Sequence, residues 1–185
     1  MGEMAVTVMP TTYQNAKAKK MVITTVLDGS NNLGEDEEAI WDDKGLAYFK
    51  RQTREEGLNT FIEGVREADR ITVQKKVNEQ KFSYGIPLEG LEISEYEMDL
   101  PDSPFFKMGI SDRKMMNVFS VDEMAVVPAV RVIAETKETD FKGKRLDIFV
   151  VNTSIGQRVI HSWFDVKRHR LIYERQRGRV LKRIE

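Results

Sequence analysis

Five short β-rich segments at hairpin spacing fill the last 60 residues, and they constrain the fold more than any other feature of the chain. Turn-forming residues such as Asp140–Gly143 and Thr153–Gly156 separate the segments. Segments joined by such short connections pair with their neighbours in sequence, so the pattern predicts an antiparallel meander. The predicted strands are Val126–Glu135, Arg145–Val151, Val159–Val166, Arg170–Glu174 and Val180–Ile184, with turns also at Lys167–His169 and Arg177-Gly178.

Side-chain alternation along these strands predicts which residues face a core. Successive side chains of a strand point to opposite faces of the sheet. The apolar residues Leu146, Ile148 and Val150 therefore share one face of their strand and are expected to point inward. By the same argument, the inward set of the next strand is Ile160, Ser162, Phe164 and Val166.

The first half of the chain predicts strands and two helices. Met21–Leu27 is β-branched and ends at the turn sequence Asp28–Asn32, which indicates a first strand. An acidic run at 35–38 is typical of a helix N-terminus, and Leu58, Phe61, Ile62 and Val65 recur with helical spacing. We therefore expect two short helices at 36–56 and 58–69. Further strands are predicted at Ile71–Val77, Lys81–Ile86 and Leu91–Met98.

Together these elements predict an α+β fold. The sheet is expected to be mainly antiparallel, or a barrel-like meander, with the two short helices following the first strand. Residues 1–20 show little periodicity and include Pro10, so we expect a flexible N-terminal arm. The remaining residues, 21–185, are predicted to form a single α+β domain with a basic β-hairpin region at 141–185.

The composition narrows the chemistry. The chain has 185 residues and no cysteine, which excludes disulfides, thiolate metal sites and cysteine nucleophiles. The N-terminus shows no apolar stretch like that of a signal peptide, and no run approaches the 18 apolar residues of a membrane span. The sequence therefore predicts an intracellular protein without a membrane partner, with a location within a virion as a further option.

Charge is distributed unevenly along the chain. Residues 1–140 contain 17 Lys and Arg against 26 Asp and Glu, whereas residues 141–185 contain 12 against 4. The net charges of the two parts are therefore −9 and +8. A protein with one acidic and one basic end has a directional field, which suits self-association or the capture of an anionic partner.

The candidate partner-binding residues lie in the most charged segments. The acidic set belongs to the segment Glu35–Asp43 and consists of Glu35, Asp36, Glu37 and Glu38. The basic set consists of Lys167, Arg168, Arg170, Arg175, Arg177, Arg179, Lys182 and Arg183. Arginine suits bidentate phosphate contacts, but lysine and arginine also protect edge strands from aggregation.

No motif for catalysis or for a cofactor emerges. The alternating polar residues that start at Asp28 have Leu33 and Ala39 where a calcium loop needs its glycine and its bidentate glutamate. Phosphate-binding glycine loops and the nucleophile elbow are absent from the sequence. The two histidines, His161 and His169, would form a site only if a carboxylate such as Asp165 converged on them in a pocket. We therefore expect no enzyme activity, no metal and no cofactor.

The function predicted from these observations is that of a non-catalytic structural or adaptor subunit in a larger protein assembly. Its charge-complementary ends would dock onto other protein subunits, either further copies of the chain or foreign ones. A virion or phage structural component fits this description. The alternative is a nucleic-acid-binding module that uses the basic C-terminal hairpin. The rest of the chain is acidic, which argues against broad DNA binding, because most of the surface would repel phosphate.

Overall fold

The computed structural model describes residues 2–27, 34–55, 57–176 and 179–183, and their fold is built almost entirely from β-strands. These residues contain two short 3-10 helices and no α-helix. The elements, in chain order, are β1 (Gly2–Tyr13), β2 (Ala16–Leu27), β3 (Gly34–Asp42), β4 (Gly45–Glu55), β5 (Leu58–Glu67), β6 (Arg70–Val77), β7 (Gln80–Pro87), β8 (Ile93–Ser94), η1 (Glu95–Asp99), η2 (Pro104–Lys107), β9 (Arg113–Ser120), β10 (Ala125–Phe141), β11 (Lys144–Ile155), β12 (Arg158–Asp165), β13 (Leu171–Gln176) and β14 (Arg179–Arg183).

The chain divides into two compact units. Unit 1 comprises Met1–Glu89 with Arg183–Glu185, and unit 2 comprises Gly90–Lys182. The sequence-based boundary at residue 20 falls inside β2. The prediction of one folding domain over 21–185 stays a prediction, because compactness alone does not decide which segments fold together.

Unit 1 is an antiparallel meander in which β1 to β7 pair in sequence order. One row of directly opposed residues crosses six of these strands: Met21, Ala39, Phe49, Gly64, Val73 and Tyr84. The middle of the row is buried, with Phe49 and Val73 at 0% exposure, whereas Tyr84 at the end of the row is 41% exposed. The core of unit 1 therefore lies under its central strands.

Both predicted helices are wrong, since the described residues of 36–56 and 58–69 form β3, β4 and β5 with turns at 43–44 and 68–69. The acidic run does not start a helix; its side chains face the basic residues of β4, and the Glu37–Arg51 pair lies directly opposite in register. In β5 the apolar residues lie on both faces of the strand: Leu58 and Ile62 on one, Phe61 and Val65 on the other. Their combined spacing only resembles that of a helix. Gly64 would weaken a helix there, whereas in the strand it makes room for the ring of Phe49.

The flexible N-terminal arm is also wrong, because residues 2–13 form β1 and pair with β2 along their whole length. The turn between the two strands consists of Gln14 and Asn15, whose φ angles are 47° and 65°. Two consecutive residues with positive φ are typical of the tight turns whose twist matches a β-hairpin. The predicted strand Met21–Leu27 is confirmed within β2, and the predicted turn Asp28–Asn32 lies outside the described residues.

In unit 2 the strands are ordered β14-β13-β12-β11-β10-β9-β8, and all pairs are antiparallel except β8 with β9. The C-terminal meander predicted from the sequence is therefore confirmed for β10 to β14, although Arg177-Gly178 lies outside the described residues. The strand predicted at Leu91–Met98 is wrong except at Ile93–Ser94, which form β8. There Glu97 accepts hydrogen bonds from the backbone and the hydroxyl of Ser94, and this capping box starts η1 instead.

The core of unit 2 forms where the segment with η1 and η2 supplies apolar side chains to one face of the sheet. Met98 and Phe105 from this segment pack with Met116, Val118 and Ala129 of the sheet. The same face carries Ile160, Ser162 and Phe164 of β12, as the alternation predicted, and the latter two are buried; Val166 instead lies beyond the end of β12, in the turn. The prediction for β11 is wrong in part. Val150 opposes Trp163 on the other face, while Val151 opposes the buried Ser162.

Two buried arginines connect this core to the segment that covers it. Arg131 of β10 is 3% exposed, donates hydrogen bonds to the Met98 carbonyl and to Asp99, and lies over the rings of Phe105 and Phe164. Arg158 is 5% exposed and binds Glu95, Asp122 and the Ser120 hydroxyl, with the named side chains gathered at one end of β9 and β12.

Candidate functional site

The basic residues predicted from the sequence begin in the turn between β12 and β13, and Asp165 organises this turn. Its carboxylate accepts the backbone N–H groups of Lys167 at 2.7 Å and Arg168 at 2.9 Å. Its backbone carbonyl accepts the N–H of His169 at 2.8 Å, and its own N–H donates to the Arg170 carbonyl at 2.9 Å. We call Lys167, Arg168 and Arg170 the basic turn; all three are exposed.

His169 fixes the basic turn to the body of unit 2. Its ring stacks on Phe106 with centroids 4.5 Å apart and planes 11° from parallel. Its Nδ1 lies 3.0 Å from the Pro101 carbonyl oxygen. The backbone of His169 has a φ of 50°, so the residue reverses the chain direction while its ring packs inward. The cations on either side of it are thereby directed to solvent.

A second group of cations lies on the face of the unit 2 sheet opposite the core. Register places Trp163, Tyr173 and Lys182 in one row across β12, β13 and β14. The next row contains His161 and Arg175. We call these five residues, with Lys137 of β10, the basic face.

Two stacked aromatic rings occupy the centre of the basic face. Trp163 and Tyr173 stack with centroids 4.4 Å apart and planes 27° from parallel. The Lys137 ammonium lies 5.1 Å from the centroid of the Trp163 ring, and it also pairs with Glu135 at 3.2 Å. A cation over an indole ring is attracted by the electrons of the ring. Lys137 comes from β10 and Tyr173 from β13, which lie on opposite sides of β12 in strand order. Trp163 is therefore contacted from both directions.

Apart from Lys137, which pairs with Glu135, the Lys and Arg side chains of these two groups remain available to a partner. Within the part of the chain that the structure describes, the side chains of Lys167, Arg168, Arg170, Arg175 and Lys182 form no ion pair. Arg179 and Arg183 contribute backbone to β14, but their side chains lie outside the description, as does the whole of Arg177.

The acidic set behaves differently, because its charges are matched inside unit 1. Glu38 lies between two ammonium groups, 2.9 Å from Lys20 and 3.6 Å from Lys50. Glu37 pairs with Arg51 at 2.8 Å, and Arg51 also lies 3.5 Å from Glu35. The remaining member of the set, Asp36, pairs with Arg54 at 2.8 Å and is 44% exposed. Docking through this segment would therefore compete with existing pairs.

Further partly buried polar contacts link β5 of unit 1 to β3 and β4. Arg66 donates to both oxygens of Asp42, at 2.7 and 2.6 Å. Burial favours the neutral acid, but the bonds from Arg66 and from the Lys44 backbone hold the pKa of Asp42 below its usual value. Burial and the hydrogen bond donated to Glu63 raise the pKa of Tyr48.

The residues that would form an enzyme site do not converge. Nδ1 of His161 lies 2.7 Å from Asn152 Oδ1, whereas the carboxylate of Asp165 is used by the basic turn. Among the described residues, no group of three or more His, Asp or Glu side chains is placed to hold a metal ion. The absence of enzyme activity, metal and cofactor remains a prediction.

Several important residues were not found by sequence reasoning. Trp163 and Lys137 join the basic face only through the strand register, which includes irregularities at Ile133/Glu135 and at Trp163/Phe164. The buried Arg131 had a detectable signal, because it stands at an inward position between Ala129 and Ile133 in an apolar strand.

The chain matched no protein-family model, no curated protein and no solved structure. No helix among the described residues is long and apolar enough to cross a membrane. Among the broad classes predicted from the sequence, a β-rich protein is confirmed.

Proposed function

We propose that the chain is a non-catalytic subunit of a larger protein assembly, and that it docks through the basic turn and basic face of unit 2. The observation that carries the proposal is the set of five exposed cations without an ion pair within the described residues: three in the basic turn, and two, Arg175 and Lys182, on the sheet face that carries the Trp–Tyr stack. Tryptophan, tyrosine and arginine are the residues that contribute most energy at protein interfaces. The intracellular or virion setting expected from the sequence remains part of this proposal.

The partner surface would be acidic and would belong to another protein subunit. Charge complementarity of this kind speeds association and fixes orientation. The acidic segment of unit 1 is the weaker candidate for the complementary surface in a second copy, because Glu37 and Glu38 are already paired. A foreign acidic subunit therefore fits better than head-to-tail contact through that segment.

A nucleic-acid-binding module is the second candidate function. Three exposed cations and a stacked aromatic pair on one sheet face favour it, because single-strand binders combine positive charge with stacking platforms. Against it, Lys137 and Tyr173 contact the indole of Trp163 from both directions, so a base would have to displace one of them. The net charge of −9 over residues 1–140 would also repel phosphate.

The test compares two polyanions of equal charge, an oligo-glutamate peptide and a single-stranded oligonucleotide, by fluorescence anisotropy at low and physiological salt. We expect tighter binding of the peptide and a loss of about tenfold or more in K167E/R168E/R170E, since each exposed charge pair contributes up to about 1 kcal/mol. The matched control is K44E/K142E/K144E, which changes three exposed lysines at the β3–β4 and β10–β11 connections, away from the basic turn.

Each outcome decides between the candidates. Tighter oligonucleotide binding, with a steep loss of affinity as salt rises, would promote the nucleic-acid candidate instead. Equal losses in the basic-turn variant and the control would show that net charge alone drives binding. Binding of neither polyanion would refute the basic turn and basic face as docking surfaces.

A further inference from the structure

Strand β7 ends the strand order of unit 1 and is the most exposed long strand in the structure. Within the described residues its one strand neighbour is β6, and every residue of Gln80–Gly85 is exposed. Phe82 and Tyr84 are both 41% exposed, and their rings stack with centroids 6.5 Å apart. Such an edge is a template for pairing with another chain unless charges, prolines or bulges block it. Strand β7 has one charged residue, Lys81, and its one proline, Pro87, is at its end, so most of this edge is unprotected.

The hairpin with β6 determines which backbone groups of β7 remain available. The connection is the two-residue turn Asn78–Glu79, so Val77 and Gln80 form the hydrogen-bonded closing pair. Hydrogen-bonded and non-hydrogen-bonded pairs then alternate along the β6–β7 ladder. The bond from the Leu88 N–H to the Asp69 carbonyl, at 2.9 Å, lies where this alternation places a hydrogen-bonded pair. The N–H and C=O groups of Lys81, Ser83 and Gly85 therefore point away from β6.

We propose that two copies of the chain associate by antiparallel pairing of their β7 strands about a two-fold axis at Ser83. This register places Ser83 opposite Ser83 and Lys81 opposite Gly85. All three outward N–H groups of each copy then find a carbonyl, which gives six hydrogen bonds between the copies. Centring the axis on Tyr84 would instead place Lys81 opposite Pro87, which has no N–H to donate.

Side chains support the same register. Phe82 falls opposite Tyr84 of the second copy, in non-hydrogen-bonded pairs, where side chains approach most closely. The stacked pair of each copy would thus join a cluster of four rings, and aromatic cross-strand pairs are among the more stabilising ones. On the other face Lys81 meets Gly85, whose missing side chain leaves room for the lysine stem, so no like charges are directly opposed. The contact is isologous and closes at two copies.

This inference goes beyond the proposed function, because it concerns unit 1 and uses none of the cations of unit 2. The test measures the mass of the full chain in solution by light scattering after size exclusion, at tens of micromolar protein. We expect about twice the 21.4 kDa chain mass for the unaltered chain. Ser83→Pro should be monomeric, since it removes an outward N–H that β6 does not use. Ser83→Ala is the matched control: like proline it loses the hydrogen bond from Gln74, but it keeps the N–H and should remain dimeric.

A second experiment tests the register and does not depend on how proline affects the strand. The chain has no cysteine, so Ser83→Cys introduces a single thiol. Opposed residues of a hydrogen-bonded pair have Cα atoms about 5.5 Å apart, within the range that a disulfide spans. Mild oxidation should therefore give a covalent dimer of Ser83→Cys and none of Lys81→Cys, whose thiols would lie on opposite sides of the axis.

The results separate this inference from the proposed function. A monomeric unaltered chain, a dimeric Ser83→Pro variant, or equal crosslinking of both cysteine variants would overturn β7 pairing. None of these results would affect polyanion binding by unit 2. Loss of the dimer in K167E/R168E/R170E, with β7 unaltered, would likewise overturn it by moving the contact to the basic turn.

Discussion

Replacing Gly64 by alanine tests the most tightly constrained packing in unit 1. A Cβ atom at this position would lie 2.1 Å from Cε1 of Phe49 and 2.6 Å from its Cζ. Carbon atoms in good contact are about 3.5–4.0 Å apart, so the ring would have to move by about 1.5 Å. Phe49 is 0% exposed, so its ring has no open space to enter.

The expected loss of stability is about 2 kcal/mol. Overpacking a filled core costs about 1–3 kcal/mol, and the upper end applies because the clash is with a fully buried aromatic ring. Alanine restricts the unfolded chain and returns about 0.4–1 kcal/mol. For a chain of this length the difference corresponds to a fall of about 4–8 °C in the unfolding midpoint.

The measurement is urea unfolding followed by the fluorescence of Trp41, which is buried in unit 1. A Trp163→Phe background removes the second tryptophan and leaves Trp41 as the reporter. Gly34→Ala is the control, because its nearest contact would be an ordinary 3.8 Å to the Thr25 carbonyl. Phe49→Leu should reduce the cost of Gly64→Ala, with a coupling of about 1 kcal/mol or more.

Two results would refute this reasoning. Gly64→Ala could be as stable as the unaltered chain within about 0.5 kcal/mol, a difference expected for surface sites. Alternatively, the effects of Gly64→Ala and Phe49→Leu could be additive, which would mean that the ring is not what the new methyl group meets.

Three further predictions follow from the polar contacts. Arg131→Met should lower the free energy of unfolding of unit 2 by about 3 kcal/mol, because the Met98 carbonyl and Asp99 lose their hydrogen bonds from a buried charge. Urea unfolding followed by Trp163 fluorescence measures this loss, and a value below about 1 kcal/mol would contradict the role of this arginine. The pKa of Asp42 is lowered in the folded state, so its contribution is present above the usual carboxyl pKa of 3.8 and is lost as the pH falls through the lower folded value. The Asp42→Asn variant should therefore lose less stability of unit 1 between pH 5 and pH 2 than the unaltered chain does. Identical pH profiles would disprove the link between Asp42 ionisation and stability. Asp165→Ala removes two turn hydrogen bonds, so it should cost about 1 kcal/mol in stability and weaken oligo-glutamate binding several-fold without removing a cation; unchanged binding would show that the basic turn needs no such support.

Local sequence predicted strands well where turns and alternation agreed. The segments that became β10 to β13 are bounded by turn residues, and both signals point to hairpins there. Between residues 34 and 67 the local signals pointed elsewhere. Acidic residues resembling a helix start, and apolar residues at helical spacing, favour a helix only if no neighbouring strand competes. The ladder from β3 to β6 and the pairing of Glu37 with Arg51 provide that competition.

In the candidate site, too, the sequence predicted some features and the structure alone revealed others. The sequence located the cations of the basic turn, because a charge count needs no structure. It treated the acidic set as equally available, since nothing local reveals that Lys20 and Arg51 lie against it. The availability of a charge depends on partners that are distant in sequence, and only the strand register brings them together.

By itself, the sequence determined that the chain is rich in strands, that its C-terminal part forms hairpins, and that its charge is uneven along its length. These properties depend on residue types and on spacings of a few residues. The tertiary structure decided which strand faces are buried, which charges are already paired, and which edge remains exposed. A strand has two faces by its period of two, but the choice between them is made by whatever covers the sheet. In unit 2 that cover is the segment with η1 and η2, and its contacts with Arg131 bury one face and leave Trp163 and Tyr173 on the other.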